Sequence, residues 1–351
     1  MRVVVVGATG NVGWALLRAL ADEAAIDSIV GIARRLPRTS LPKVDWAAAD
    51  IGRDALEPHF RGADAVVSLA WRIQPSRRLD EVWRTNVQGS TRVFDAAARA
   101  GVGALVYASS VGAYSPAAKD RRVDESWPTD GVPTSFYSRH KAEVERRLDR
   151  FEREHADVRV VRLRPALTFQ RASAQEQRRL FAGALLPSAL LRRGLLPAVP
   201  VVRGLRVQAI HADDVADAYR RALLADVHGA FNVAADPVLE GDALARALDA
   251  RQFRVSPRLI RAGMRAAWHL RLQPSPPGWF DLAMRAPLLD TGRARAELGW
   301  MPRRAAGDTL SELLEGIRDR AGAPTPPLDP AAGGPLRARE LATLAGTRDD
   351  A

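Results

Sequence analysis

Cysteine is absent from all 351 residues, which removes disulfides, thiolate metal sites and cysteine nucleophiles together. A metal site would have to be built from His, Asp and Glu, and none of these cluster at ligand spacing, so no metal is expected. Lysine is nearly absent too: Lys43, Lys119 and Lys141 are the whole set, beside four tyrosines. The net charge of +11 is therefore carried by arginine, in scattered pairs such as Arg121/Arg122, Arg146/Arg147 and Arg192/Arg193. No basic run of five or more occurs, which argues against a nucleic-acid partner. Long apolar runs are missing as well, and none reaches the roughly 18 residues of a membrane span. The most apolar stretch, Leu180 to Val202, is broken by Arg192, Arg193 and three prolines, and reads as a soluble helical segment. The chain opens on a strand with no charged-then-apolar leader, so a cytoplasmic location without membrane partners is expected.

What is present is 47% hydrophobic content in an alternating rhythm. Short apolar runs at Arg2 to Val6, Ser28 to Ala33, Val44 to Ala48, Ala65 to Ala70, Ala104 to Ser109 and Val158 to Leu163 alternate with amphipathic or turn segments. That is the pattern of an α/β fold, a doubly wound parallel sheet covered on both faces, which binds ligands beyond its strands' carboxyl ends. After Arg164-Pro165 the rhythm changes, returning with strands at Val207 to Ile210 and Phe231 to Ala234 and a helix from Asp213 to Leu224. Residues 1–165 with 207–236 are expected to form a dinucleotide-binding Rossmann domain. Residues 166–206 with 237–320 are expected to form a smaller, mainly helical substrate lobe, and 321–351, rich in Pro, Gly and Ala, a disordered tail. There are no internal repeats.

Three motifs carry chemistry. The first strand runs into Gly7-Ala8-Thr9-Gly10-Asn11-Val12-Gly13, followed by a helix from Trp14 to Ala21. Side-chain-free positions there let the backbone approach a pyrophosphate at a helix N-terminus, although the spacing is GxxGxxG and not GxGxxG. In the second motif, Tyr137-Ser-Arg-His-Lys141, the i, i+4 spacing puts phenol and ammonium on one helical face. A nearby cation would lower the phenol toward a usable acid/base range. The third is Ser109-Ser110 at the end of the preceding strand, where a hydroxyl can face the ligand crevice.

Together these residues resemble the short-chain dehydrogenase/reductase superfamily in its extended branch, which includes the NAD-dependent epimerase/dehydratase group. The resemblance spans about residues 1–310. It includes Asp50-Ile51, Leu69-Ala70, Asn86 to Gly89, Ser110 to Tyr114, Arg164-Pro165, His211 to Val215 and Glu297 to Pro302, in the family's order. It implies that Ser110 binds the reacting oxygen, Tyr137 exchanges the proton, and Lys141 tunes Tyr137 and holds the nicotinamide ribose. It further implies that Gly7, Thr9, Gly10, Asn11, Val12 and Gly13 hold the pyrophosphate and that Asp50 and Ile51 flank the adenine. Leu69, Ala70 and Asn86 would be further cofactor contacts, with Pro165 near the nicotinamide amide.

Departures from the family pattern narrow the expectation. The Asp-Glu pair of the family's dehydratases is replaced after Ser110 by Val111-Gly112. The Asn of Arg-Pro-x-Asn, which touches a sugar-nucleotide diphosphate, is Leu167, which cannot donate that hydrogen bond. The expected reaction is therefore oxidoreduction of a hydroxyl or ketone on a small apolar molecule. Trp71, Trp268, Trp279 and Phe280 are candidate pocket or core aromatics. Arg203 and Arg206 could instead grip an anionic substrate, which keeps a nucleotide-sugar epimerase as the alternative; a non-catalytic NADP-sensing regulator is the second. After the second strand, Arg34 and Arg35 stand where an NAD site usually places a carboxylate, so NADP is favoured over NAD. The expected partner is a small-molecule substrate, and a homodimer is left open.

Overall fold

The computed structural model describes residues 1–73, 77–181, 194–273 and 275–333. Seven parallel strands form its centre: β1 (Arg2–Val6), β2 (Ser28–Ala33), β3 (Val44–Ala48), β4 (Ala65–Ser68), β5 (Ala104–Ala108), β6 (Arg159–Pro165) and β7 (Gly229–Val233). Their spatial order is β7-β6-β5-β4-β1-β2-β3. The sheet is therefore the expected doubly wound one, and the chain reverses its direction of winding between β1 and β4. Loops leaving those two strands diverge there and open a crevice.

The valine run of β1 shows why these segments are strands: Val3 and Val5 enter one hydrophobic layer, Val4 and Val6 the other. Two-sided burial selects continuous apolar residues over alternation. One layer is closed by α1 (Asn11–Ala21), which buries Trp14 to Leu17 and Leu20, and by α5 (Ala212–Leu224). The opposite layer is closed by α2 (Gly89–Arg99) and α3 (Phe136–Glu154). No helix among the described residues is long and apolar enough to cross a membrane.

The second half adds α4 (Ala174–Phe181), α6 (Pro257–His269), α7 (Gly278–Arg285) and α8 (Ala306–Arg318). Three expectations need correction. Within the stretch read as helical, Ala198–Val202 is a strand paired in parallel with Arg251–Val255, and residues 182–193 lie outside the described residues. The strand expected at Val207 to Ile210 is broken in two at Gln208, because Arg206–Val207 pairs antiparallel with Leu239–Glu240 while Ala209–His211 pairs in parallel with Leu167–Phe169; the Gln208 side chain meanwhile pairs with the Leu289 backbone through both its amide atoms. The first part of the expected loose tail is packed: Thr325 is 1% exposed and Leu328 is fully buried. Residues 334–351 of that tail lie outside the described residues.

Candidate active site

Two cavities meet at the carboxyl ends of β1, β4 and β5, sharing Gly7, Gly10, Leu69, Trp71, Ile73 and Glu176 in their walls. The inner one, about 300 Å³, is lined by Ser110, Tyr137, Lys141, Pro165, Asn11, Val12 and Gly13. The outer one, about 200 Å³, is lined by Thr9, Arg34, Arg35, Asp50, Ile51 and Ala70. Of the expected catalytic and cofactor-binding residues, Asn86 alone borders neither. It is fully buried and works one step back, accepting from the Arg72 N–H at 2.7 Å and donating to the Arg72 carbonyl at 3.1 Å. It thereby clamps the loop that carries Ala70 and Trp71.

The glycine turn fits a diphosphate. Gly7 has φ +88°, and a Cβ there would lie 2.6 Å from the Ala70 amide nitrogen, so β1 and the β4 loop approach as only glycine allows. A Cβ on Gly13 would strike the Gly7 carbonyl at 2.3 Å. No side chain caps α1 and no acid stands in its first turn, so its leading amides and dipole are left for an anion. Asn11 serves as a tie instead. Its side chain donates to the Thr168 carbonyl at 3.0 Å and accepts from Gln170 at 2.8 Å, which joins the glycine turn to the segment after β6.

Ser110 leaves β5 as the cap of a single tight turn, its Oγ accepting from the Gly112 N–H at 3.0 Å. The neighbouring Ser109 hydroxyl is already committed, donating to the carboxylate of Glu145. Ser110 is thus the serine available to a ligand. Helix α3 brings Tyr137 beside it, and Ser138 fixes the approach, donating to the Gly112 carbonyl and accepting from the Val132 N–H at 2.6 Å. The Tyr137 ring lies between Trp279, 4.9 Å between centroids, and Trp71, at 5.9 Å. Burial pushes Tyr137 up to about 12, against a lowering hydrogen bond with Ser110.

Lys141 shares the face of α3 with Tyr137, but among the described residues it does not hydrogen-bond to it. Its ammonium donates to the Ala108 carbonyl at 2.6 Å, lies 3.5 Å from the Tyr107 hydroxyl, and sits 3.5 Å from the centroid of the Trp71 ring. Burial pushes this lysine well below its ordinary range, while Glu145 one turn on opposes the shift. The expected tuning of Tyr137 is therefore not made by direct contact here.

Sequence reading missed the group beneath these residues. Glu145 is fully buried and accepts from Arg162 at 2.9 Å and from Arg164 at 2.9 and 3.0 Å. Burial alone would raise this carboxyl; Arg164 and Arg162 reverse that and hold it at about 2. The available signal was spacing, since Tyr137, Lys141 and Glu145 recur every four residues on α3.

Among the candidate aromatics, Trp71 and Trp279 line the inner cavity, whereas Trp268 and Phe280 do not. Trp268 instead stacks under Arg77, 3.8 Å from its centroid. Arg203 and Arg206 also lie outside both cavity walls; Arg206 donates to the Lys119 carbonyl and lies 3.4 Å from Glu240. Lys119 itself lines the inner cavity, and burial, with Arg206 nearby, brings it down to about 8. The late motifs are a structural joint: Asp214 accepts from the Arg303 and Arg304 amides at 3.0 and 3.2 Å, and Trp300 donates to its carbonyl.

The chain matches the NAD dependent epimerase/dehydratase family over residues 3–234. An uncharacterized protein of Mycobacterium tuberculosis is 28% identical over 326 residues, 92% of this chain but 31% of the relative, so the chain spans about a third of that protein. The NAD-dependent glucose-6-phosphate dehydrogenase of Haloferax volcanii is 32% identical over 178 residues, 46% of this chain and 66% of the relative. Among solved structures, the dTDP-glucose 4,6-dehydratase DesIV from Streptomyces venezuelae, with NAD and TYD bound, has a TM-score of 0.67 at 21% identity. That alignment covers 91% of this chain and 97% of the other, and shows a common fold. With the family's pattern extending over most of the sheet and the site at its centre, the chain belongs to the NAD dependent epimerase/dehydratase family.

Proposed function

We propose that this protein is an enzyme, an NADP-dependent dehydrogenase/reductase acting on a hydroxyl or ketone of a small, largely apolar molecule. The observation that carries this reading is the inner cavity: Ser110 and Tyr137 face walls supplied by Trp71, Leu167, Leu180, Trp279 and Leu282. A lining whose exposed area is mostly apolar, although Lys119, Glu176, Gln177 and Gln208 also border it, suits an apolar ligand oriented at one end. Leu167 offers no donor to a diphosphate. Gly112 supports the same reading, because a Cβ there would lie 2.7 Å from the Tyr137 ring, leaving no room for an added acid beside the phenol.

In reduction, Ser110 Oγ holds the carbonyl oxygen and Tyr137 gives it a proton; in oxidation Tyr137 takes that proton back. Burial that holds the phenol near 12 keeps it protonated at neutral pH, so the reductive direction has its acid in place. Lys141 is the residue for the nicotinamide ribose. The dinucleotide, when bound, supplies or accepts the hydride. NADP is preferred in this reading because the exposed Arg34 and Arg35 line the outer cavity, while Asp50 there is engaged by the Gly52 N–H at 2.8 Å and Arg53 at 3.2 Å.

The alternative, nucleotide-sugar epimerisation, draws support from the UDP-glucose 4-epimerase of Thermotoga maritima solved with UDP-glucose, which has a TM-score of 0.67 at 19% identity and aligns over 91% of this chain and 99% of its own. Reduced-nicotinamide absorbance should be followed with steroid and aryl ketones and with nucleotide sugars while product is analysed. Stoichiometric oxidation of NADPH with carbinol formation is expected. An inverted sugar nucleotide with the cofactor total constant would overturn the proposal in favour of the epimerase, and dinucleotide binding without turnover of any substrate would favour a sensor.

A further inference from the structure

We infer that residues 321–330 are part of the dinucleotide site, a strap that closes the outer cavity and slows release of the bound dinucleotide. The inference rests on the reading that the outer cavity takes the adenosine half. Directly after α8 the chain turns back, with the Ala321 N–H donating to the Gly316 carbonyl at 2.8 Å. It then folds on itself: the Leu328 N–H donates to the Thr325 carbonyl at 3.0 Å, and the Ala323 N–H to the Leu328 carbonyl at 3.2 Å. Glycine is required at 322, where a Cβ would lie 2.3 Å from the Leu328 carbonyl oxygen.

The strap is fastened to the glycine turn itself. Thr325 Oγ1 donates to the Thr9 carbonyl at 2.9 Å, joining positions 316 residues apart, and both threonines are buried. Arg179 on α4 donates to the Pro327 carbonyl at 3.1 Å. Pro326 and Pro327 therefore stand in the wall of the same cavity as Arg34 and Arg35. Two consecutive prolines have little backbone freedom to lose, which suits a fixed wall better than a floppy tail. A dinucleotide seated under them gains contact area and must wait for the wall to move before leaving. Its dissociation is slowed more than its association.

Stopped-flow binding of NADPH to the 351-residue chain and to two variants of it, Thr325→Val and Pro326→Gly/Pro327→Gly, tests this. Both variants should dissociate NADPH at least about fivefold faster with association changed less than about twofold. Hydrogen exchange on the wild-type chain provides a readout that needs no variant: amides of 321–330 should gain protection when NADPH is added. Unchanged dissociation in folded variants, or unchanged exchange at saturating NADPH, would overturn the strap while leaving the dinucleotide reading intact. Failure of the 351-residue chain to bind NADPH or NADH at all would overturn both.

Discussion

The two cavities are built by different means. Around the inner one, the polar groups are buried and held from behind: Ser110 by its turn, Tyr137 by two indoles, and the helix beneath them by Glu145 between Arg162 and Arg164. Around the outer one, Arg34 and Arg35 are exposed and the covering wall is a fastened loop. Fixed donors cost no reorganisation at the moment of reaction, so in the proposed function the inner geometry sets the rate. In the proposed function, the exposed Arg34 and Arg35 on the outer wall select the dinucleotide. Substitutions on the inner side should therefore act on turnover and substrate KM, and those on the outer side on dinucleotide affinity.

The largest effect should come from the support under the inner cavity. Glu145→Gln leaves Arg164 buried without its carboxylate, and the fold should lose about 3–5 kcal/mol, read by denaturant unfolding. The pH dependence has a definite sign. Held at about 2 against an ordinary 4.5, Glu145 contributes stability that is fully present above about 4.5 and is lost as pH falls toward 2. The variant should lack that part of the acid limb; an unchanged acid profile would show that the cluster is not the source. Next in size is Tyr137→Phe, which removes the transferable proton and should lower kcat by about 10²- to 10⁴-fold with NADPH affinity nearly unaltered. Activity within tenfold of wild type would remove Tyr137 from its proposed role.

On the outer side, replacing Arg34 and Arg35 by serine should raise the NADPH dissociation constant by about tenfold or more, from the loss of charge-assisted hydrogen bonds, and leave NADH within about twofold. Equal losses for both dinucleotides would mean that the pair lies away from the 2′-phosphate. Raising ionic strength should weaken NADPH binding more than NADH binding for the same reason, because exposed charge is screened.

The same inner-outer contrast explains what could be read from the sequence. Strands β1 and β2 were legible to the residue because burial on both faces demands apolar runs, the edge strand β3 by its place in the alternating rhythm, and the glycine turn because its spacing is local. Ser110, Tyr137 and Lys141 were legible as a group because the family's order fixes them. The break at Gln208 was not: it depends on two different partner strands, Leu239–Glu240 and Leu167–Phe169, each distant along the chain. The strap was hidden for the same reason, since Pro, Gly and Ala around 321–330 look loose until Thr325 meets Thr9. Lys141 shows a subtler limit. Helical spacing places its side chain on the right face, yet the Ala108 carbonyl at the end of β5 and Trp71 in the loop after β4 decide where the ammonium rests.

The smallest effect sharpens the comparison by separating two tryptophans that the sequence treats alike. Trp279 lines the inner cavity with its ring 4.9 Å from Tyr137, whereas Trp268 lies outside both cavities under Arg77. Trp279→Ala removes apolar wall where the substrate is proposed to bind, and should raise KM for an apolar ketone about three- to tenfold, in line with lost burial of one aromatic face. Trp268→Ala should leave both KM and kcat within about twofold, because substitutions of partly exposed residues away from a site change little. Steady-state kinetics on the same ketone, with NADPH saturating, compares them directly. If Trp268→Ala raises KM as much as Trp279→Ala does, the substrate reaches beyond the inner cavity, and the division between the two sides of the site is drawn in the wrong place.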